Sequence, residues 1–317
     1  MRSAATLLAA LLLAVGLGAC GDDEEDAGGA GAANRIERDP ANDDVEITVG
    51  SKNFTEQYVL GEIYAQALAA AGYEVETRLD LGSEQAALRA LERGEVDAYP
   101  EYASTALTSF FGLPTADVPA DGAEAYEEAL DDFERLGLVA YPPTPFSSAN
   151  ALGLLTETAD ELDVTRVSDL EGVSDELTLY GAPECPRRSD CLIALERDYG
   201  LGFERFQPVA IGKRYDVLAN GEADLSILFT TDAQLFVSDE FVILEDDREV
   251  LPAGNVLFVA REEIADEAGP DFGETIEGVQ RNLTLEVMQE LNARVDVDGE
   301  RPADAARQYL KEYGYVG

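Results

Sequence analysis

Histidine is absent from all 317 residues. Histidine-based catalytic triads, histidine-ligated zinc and imidazole general bases are therefore excluded. Lysine occurs only at Lys52, Lys213 and Lys311, and basic side chains number 22 against 65 acidic ones, a formal net charge of −43. Nucleic acid and anionic lipid surfaces would be repelled by such a chain, so neither is expected as a partner. The acidity fits a heavily solvated surface suited to a saline habitat, and it also fits a field that attracts cationic solutes. Cysteine is scarce as well, present only as Cys20, Cys185 and Cys191. The last two enclose a short polar loop in PECPRRSDCL. Two thiolates with no further Cys or His make a poor metal site, so in an exported chain a small disulfide is expected. No GxxxxGK[ST] phosphate loop occurs and no tandem repeat stands out. No metal or cofactor is expected.

What is present begins with an export signal. Arg2 gives a positive start, Leu7 to Val15 is an apolar run, and Leu17-Gly18-Ala19-Cys20 forms a small-residue cleavage site. The run is too short to span a membrane, so residues 1–20 read as a secretory signal. LGAC resembles a bacterial lipobox, which would make Cys20 a diacylated mature N-terminus. An ordinary signal peptide beside a free cysteine is the alternative. Residues 21–44 are Gly-, Ala- and carboxylate-rich and are expected to form a flexible acidic tether. The remainder of the chain, from Val45, is long enough for two modest domains or one bilobed unit.

From Val45 onward the apolar period switches between strand and helix. Phe54 to Ala71 has helical spacing, with Asn53 placed as N-cap and Glu56 as its capping-box partner. Tyr73–Leu79 alternates like a strand, Ser83–Arg93 is an amphipathic helix stopped by Gly94, and Val96–Tyr99 is the next strand. That β-α-β-α-β order predicts an α/β fold with mainly parallel sheets flanked by helices. A second α/β series runs from about Ala151 to Leu244, and the chain ends in helices near Asn282–Val295 and Pro302–Tyr313. Proline and glycine punctuate the chain at Pro142–Ser148 and Pro252–Gly254, as expected of segments between lobes.

In open α/β sheets, ligands bind beyond the carboxyl ends of strands, beside helix N-termini. Ser51, Lys52 and Asn53 occupy such a place, with Gln57 one turn further on. Ser83 and Gln85 open the second helix, and Tyr102 to Thr105 come after the next strand. Two of these stretches, EITVGSKNFTEQ at 46–57 and GEVDAYPEYAST at 94–105, resemble the substrate-binding proteins of ABC importers for glycine betaine, choline and related osmoprotectants. The resemblance covers most of the chain after Val45. It implies a two-lobed periplasmic-binding-protein fold of type II, with 45–146 and 253–317 as lobe one and 147–252 as lobe two.

The resemblance also implies a site with two ends. A quaternary ammonium offers no N–H donors and is held by aromatic faces, each contributing roughly 0.5–2 kcal/mol. A carboxylate needs fixed donors. Lys52, Thr105 and Arg188 match the family's carboxylate end, and Tyr102 matches a cage tyrosine. Asn150 stands where an aromatic is usual and offers an amide instead. Phe229-Thr230-Thr231-Asp232 matches a segment opening in tyrosine, so Phe229, Thr230 and Asp232 are candidates. The last cage tyrosine falls near Ala253 or Gly254, leaving two of about four aromatics. Tyr99, Tyr141 and Tyr215 are further candidates for recruitment.

The expected protein is a lipid-anchored extracytoplasmic binding protein, not an enzyme. It would trap a small zwitterionic or cationic solute between its lobes for an ABC permease. A different amino-acid-like zwitterion, a sensory partner and an exported carboxylate-based enzyme are the rival readings.

Overall fold

The computed structural model describes residues 34–317. The export signal, Cys20 and the first part of the tether lie outside the described residues. Among the described residues, eleven strands build two sheets: β1 Glu46–Gly50, β2 Glu74–Arg78, β3 Ala98–Tyr102, β4 Leu138–Ala140, β5 Ser147–Ser148, β6 Asn150–Leu155, β7 Thr178–Gly181, β8 Arg205–Pro208, β9 Leu225–Phe229, β10 Phe241–Ile243 and β11 Gly254–Arg261. The first sheet runs β2-β1-β3-β11-β4 with β5 also on β11, and the second runs β10-β6-β9-β7-β8.

Both sheets are mixed rather than mainly parallel. β1 is parallel to β2 and β3, and β7 is parallel to β8 and β9, because each of those strands feeds a crossover helix. β11 returns from the second lobe and meets β3, β4 and β5 antiparallel. β6 enters that lobe and meets β9 and β10 antiparallel. Strands that carry the chain between lobes thus run against the βαβ direction. Ser148 and Ser147 pair with Gly254 and Asn255, so the crossing segments lie side by side, and Ser147–Ser148 belong to the first sheet's hydrogen bonding.

Period-two alternation fills the two faces of the first sheet separately. On β11, Val256, Phe258 and Ala260 join the cluster of Leu60, Tyr64 and Phe272, whereas Leu257 and Val259 join Leu91, Tyr99 and Phe133. In the second sheet Leu152, Leu179 and Ile227 share one cluster, and Leu228 packs on the other face with Leu218.

Two local expectations are corrected. The helix Thr55–Ala71 has Phe54 as its N-cap, with no side-chain cap. Asn53 is exposed, and Glu56 is turned inward, 3% exposed. The helix ends at Gly72, φ +117°, where a Cβ would lie 2.5 Å from the Asp39 carbonyl. That contact belongs to the second correction, because the tether stops short of Asp44. Ile36 N–H donates to Tyr315 O at 3.0 Å, Asp39 N–H to Ala71 O at 2.9 Å, and Asn42 is buried. The isolated apolar Ile36 packs against the first core and anchors a stretch that composition alone assigns to linker.

Candidate functional site

One cleft takes residues from the carboxyl ends of strands in both sheets. Among the predicted residues, Lys52, Asn53, Ser83, Tyr102, Thr105, Asn150, Arg188 and Phe229 line it. The other five stand behind the wall. Ser51 Oγ donates to Lys52 O at 3.0 Å, and Gln57 Oε1 accepts the Lys52 N–H at 3.2 Å. Gln85 is spent on Ser109 O at 2.9 Å. Thr230 Oγ1 accepts the Ala149 N–H at 3.1 Å, where the chain passes between lobes. Asp232 is taken up by an ion pair with Arg214.

Each lobe presents its aromatic by the same device. In the first, the Lys52 ammonium lies 4.4 Å from the Tyr102 ring centroid and is ion-paired with Glu101. Glu101 also accepts the Tyr102 backbone N–H at 2.7 Å and the Tyr99 hydroxyl at 3.0 Å. In the second, the Arg214 guanidinium lies 4.0 Å from the Phe229 ring centroid and meets Asp232 at 2.8 Å. Asp232 accepts the Phe229 backbone N–H at 2.8 Å and the Tyr215 hydroxyl at 3.1 Å. In both, a buried cation covers the ring and its carboxylate clamps the backbone that carries the ring. Each carboxylate thereby has its lone pairs satisfied, which is what makes a buried ion pair tolerable.

These pairings revise the expected carboxylate end. Lys52 is 4% exposed, and burial pushes its ammonium below the ordinary lysine value against the pull of Glu101. Arg188 binds Asp190 through Nε at 2.7 Å and Nη2 at 2.5 Å. It then reaches across the cleft to Glu84 at 3.5 Å and the Thr105 hydroxyl at 3.4 Å. All three cations that line the cleft, Lys52, Arg188 and Arg214, are already engaged by carboxylates. Asn150 is engaged too, donating to Asp190 O at 2.9 Å.

The Arg188 loop is closed by the expected disulfide between Cys185 and Cys191. By loop-closure entropy such a short ring stabilises by about 2 kcal/mol. Cys185→Ser with Cys191→Ser should lose that amount in a urea melt; an unchanged midpoint would mean that the loop is held without the bridge.

Sequence reasoning missed Phe54, Asp190 and Arg214 as lining residues, whereas Glu84, which lines the cleft, falls in the turn at 82–85 singled out before the second helix. Phe54 stacks on Tyr102 at 6.3 Å between centroids, 17° apart, and tilts against Phe229 at 5.3 Å. The cleft therefore holds three aromatic faces, not two. Phe54 sits inside the GSKNFTEQ stretch beside Lys52, where its local pattern is simply that of a helix start. At Gly254 no aromatic fits, because a Cβ there would lie 2.9 Å from the Ser104 backbone nitrogen. Tyr99 and Tyr141 are packed into the first lobe, and Tyr215 is turned to Asp232; none lines this cleft.

Residues 45–312 match the family model for the substrate-binding domain of ABC-type glycine betaine transport systems. A glycine-betaine-binding protein of Pseudomonas aeruginosa is 32% identical over 278 residues, covering 84% of this chain and 88% of that one. The carnitine transport binding protein OpuCC of Listeria monocytogenes is 25% identical, covering 85% and 87%. The crystal structure of a glycine betaine/carnitine/choline ABC transporter superposes with a TM-score of 0.67 at 23% identity, covering 85% of this chain and 99% of that one. These are transport proteins that work outside the cytoplasm, not enzymes. With a family match across most of its length and a relative above 30% identity, this chain belongs to the substrate-binding domains of ABC-type glycine betaine transport systems.

Proposed function

We propose that this protein captures a quaternary-ammonium solute, of the choline and glycine betaine class, between its two lobes and hands it to an ABC permease. The observation that carries the reading is the convergence of Phe54, Tyr102 and Phe229, two of which already bear a cation on the ring face. Lobe one contributes Phe54 and Tyr102 and lobe two Phe229, so a guest touching all three favours the closed arrangement by differential binding. The resemblance of Leu17-Gly18-Ala19-Cys20 to a lipobox supports delivery from a membrane-anchored position, with the acidic stretch that follows as tether.

Within that class the charge balance favours a net cation. Each lining cation already meets a carboxylate, and Glu84, Glu184 and Asp190 in the lining, together with Glu101 and Asp232 behind it, outnumber Lys52, Arg188 and Arg214. A guest carboxylate would have to compete for occupied donors. Calorimetry with choline, glycine betaine, carnitine and proline should show saturable binding of the quaternary ammonium compounds, with choline no weaker than glycine betaine. Binding of proline in preference to all three would overturn the reading. Phe54→Ala should weaken choline by about 1 kcal/mol, the value of one partly desolvated cation–π face; unchanged affinity would remove Phe54 from the cage.

A further inference from the structure

Five carboxylates are buried among the described residues: Glu56, Glu84, Glu101, Asp190 and Asp232. All five stand at or beside the cleft. Four meet a cation: Glu101 meets Lys52, Glu84 and Asp190 meet Arg188, and Asp232 meets Arg214. Glu56 forms no ion pair among the described residues. A buried carboxylate is costly unless a positive charge compensates it. Its surroundings nevertheless address it as a carboxylate. Tyr102 donates its hydroxyl to Glu56 Oε1 at 2.5 Å, and Asn292 donates its amide to Oε2 at 3.1 Å. The same Asn292 amide donates to Thr231 O at 3.0 Å, in the segment just after Phe229. Burial pushes the Glu56 carboxyl above its ordinary value, opposed by those hydrogen bonds and assisted by the nearby charge of Asp232.

We infer that Glu56 is the counter-charge of the bound guest, acting through the Tyr102 hydroxyl. Its carboxylate sits at the hydroxyl end of Tyr102, a residue that lines the cleft. A phenol that donates to a carboxylate carries a more electron-rich ring, and the ring's attraction for a cation is electrostatic. The three elements that meet at Glu56 are the helix Thr55–Ala71, β3 through Tyr102, and the helix Leu285–Asp296 through Asn292. No cation of the described residues compensates this charge, and a quaternary ammonium in the cleft supplies one. Glu56 is thus a positioning and specificity-determining residue that distinguishes a cationic guest from a neutral body of the same shape. The inference rests on the quaternary-ammonium reading above and adds to it the group that reads the charge.

The test compares choline with its carbon isostere 3,3-dimethylbutan-1-ol, which has the same outline and no charge. Wild type should prefer choline. Glu56→Gln should weaken choline about tenfold and leave the alcohol within about twofold, since the shape of the cage is kept and only the charge that polarises the Tyr102 hydroxyl is lost. Tyr102→Phe keeps Glu56 and breaks the hydroxyl link, so it should give a similar selective loss. Adding Glu56→Gln to Tyr102→Phe should then cost little more, and Tyr102→Phe by itself still decides between the two compounds if the Glu56 variants fold poorly. Equal weakening of both compounds by Glu56→Gln would show that Glu56 only props the cage, and no change would show that it does neither; each result overturns the inference while the transport reading survives. A wild type that binds neither compound, nor any other quaternary ammonium, would overturn the transport reading and this inference together.

Discussion

Lys52→Ala should lower the folding stability of the free protein by about 3–5 kcal/mol, more than it weakens any guest. A lysine that serves only as a ligand contact would cost about 1–3 kcal/mol of binding, with little effect on the melt. The structure decides between these through Glu101, which is fully buried and has Lys52 as its cation. Removing the ammonium leaves that carboxylate with the Tyr102 N–H and the Tyr99 hydroxyl, which hydrogen-bond it without cancelling its charge. A compensating variant tests the same point. Lys52→Met combined with Glu101→Gln removes both charges at similar volume and should recover most of the loss. Urea unfolding of the three proteins measures this. If Lys52→Ala melts like wild type and loses only carboxylate-bearing guests, the lysine is a guest contact and the clamp around Tyr102 is misassigned.

The parts of this molecule legible in the sequence are those set by local spacing. Strand–helix alternation around Lys52 and Tyr102, the breaks near Pro142 and Pro252 and the Cys185–Cys191 bridge all depend on neighbours a few residues apart. The site residues that escaped depend on partners far along the chain. Asn53 and Glu56 have capping-box spacing, yet Glu56 turns inward because the Tyr102 hydroxyl, 46 positions away, and Asn292 offer it hydrogen bonds within the core. Lys52 and Arg188 read as free cations because their carboxylates come from other elements or from a folded loop. Phe54 reads as a core-facing helix start because only the second lobe, through Phe229, turns its ring into part of a cage. The antiparallel return of β11 is invisible for the same reason: direction within a sheet is decided by which strand the chain comes back to. Charge composition leads only to the expectation of an acidic surface or of a field drawing in cations. The more useful fact, that every buried carboxylate of the described residues gathers at one cleft, needs the fold.

Asp232 offers the matching experiment in the second lobe, and its replacement is expected to be as costly as that of Lys52. Arg214 is 4% exposed. Besides Asp232 its guanidinium has the carbonyls of Ile211 at 2.8 Å and Ile227 at 3.2 Å and the face of Phe229. Asp232→Ala strands that charge and also frees the Phe229 N–H and the Tyr215 hydroxyl, so about 3–5 kcal/mol of stability should be lost. Asp232→Asn separates the contributions, because an amide oxygen still accepts from Phe229 and Tyr215 while the negative charge is gone. If charge compensation dominates, the asparagine variant should fall nearly as far as the alanine one. If the hydrogen bonds dominate, it should stay close to wild type. Asp232 stands behind Phe229 and does not line the inner cleft, so choline affinity should fall in both variants through loosening of the Phe229 ring. A stable Asp232→Ala protein with normal choline binding would mean that the ring is held by packing alone, and the shared clamp of the two lobes would be a coincidence of geometry.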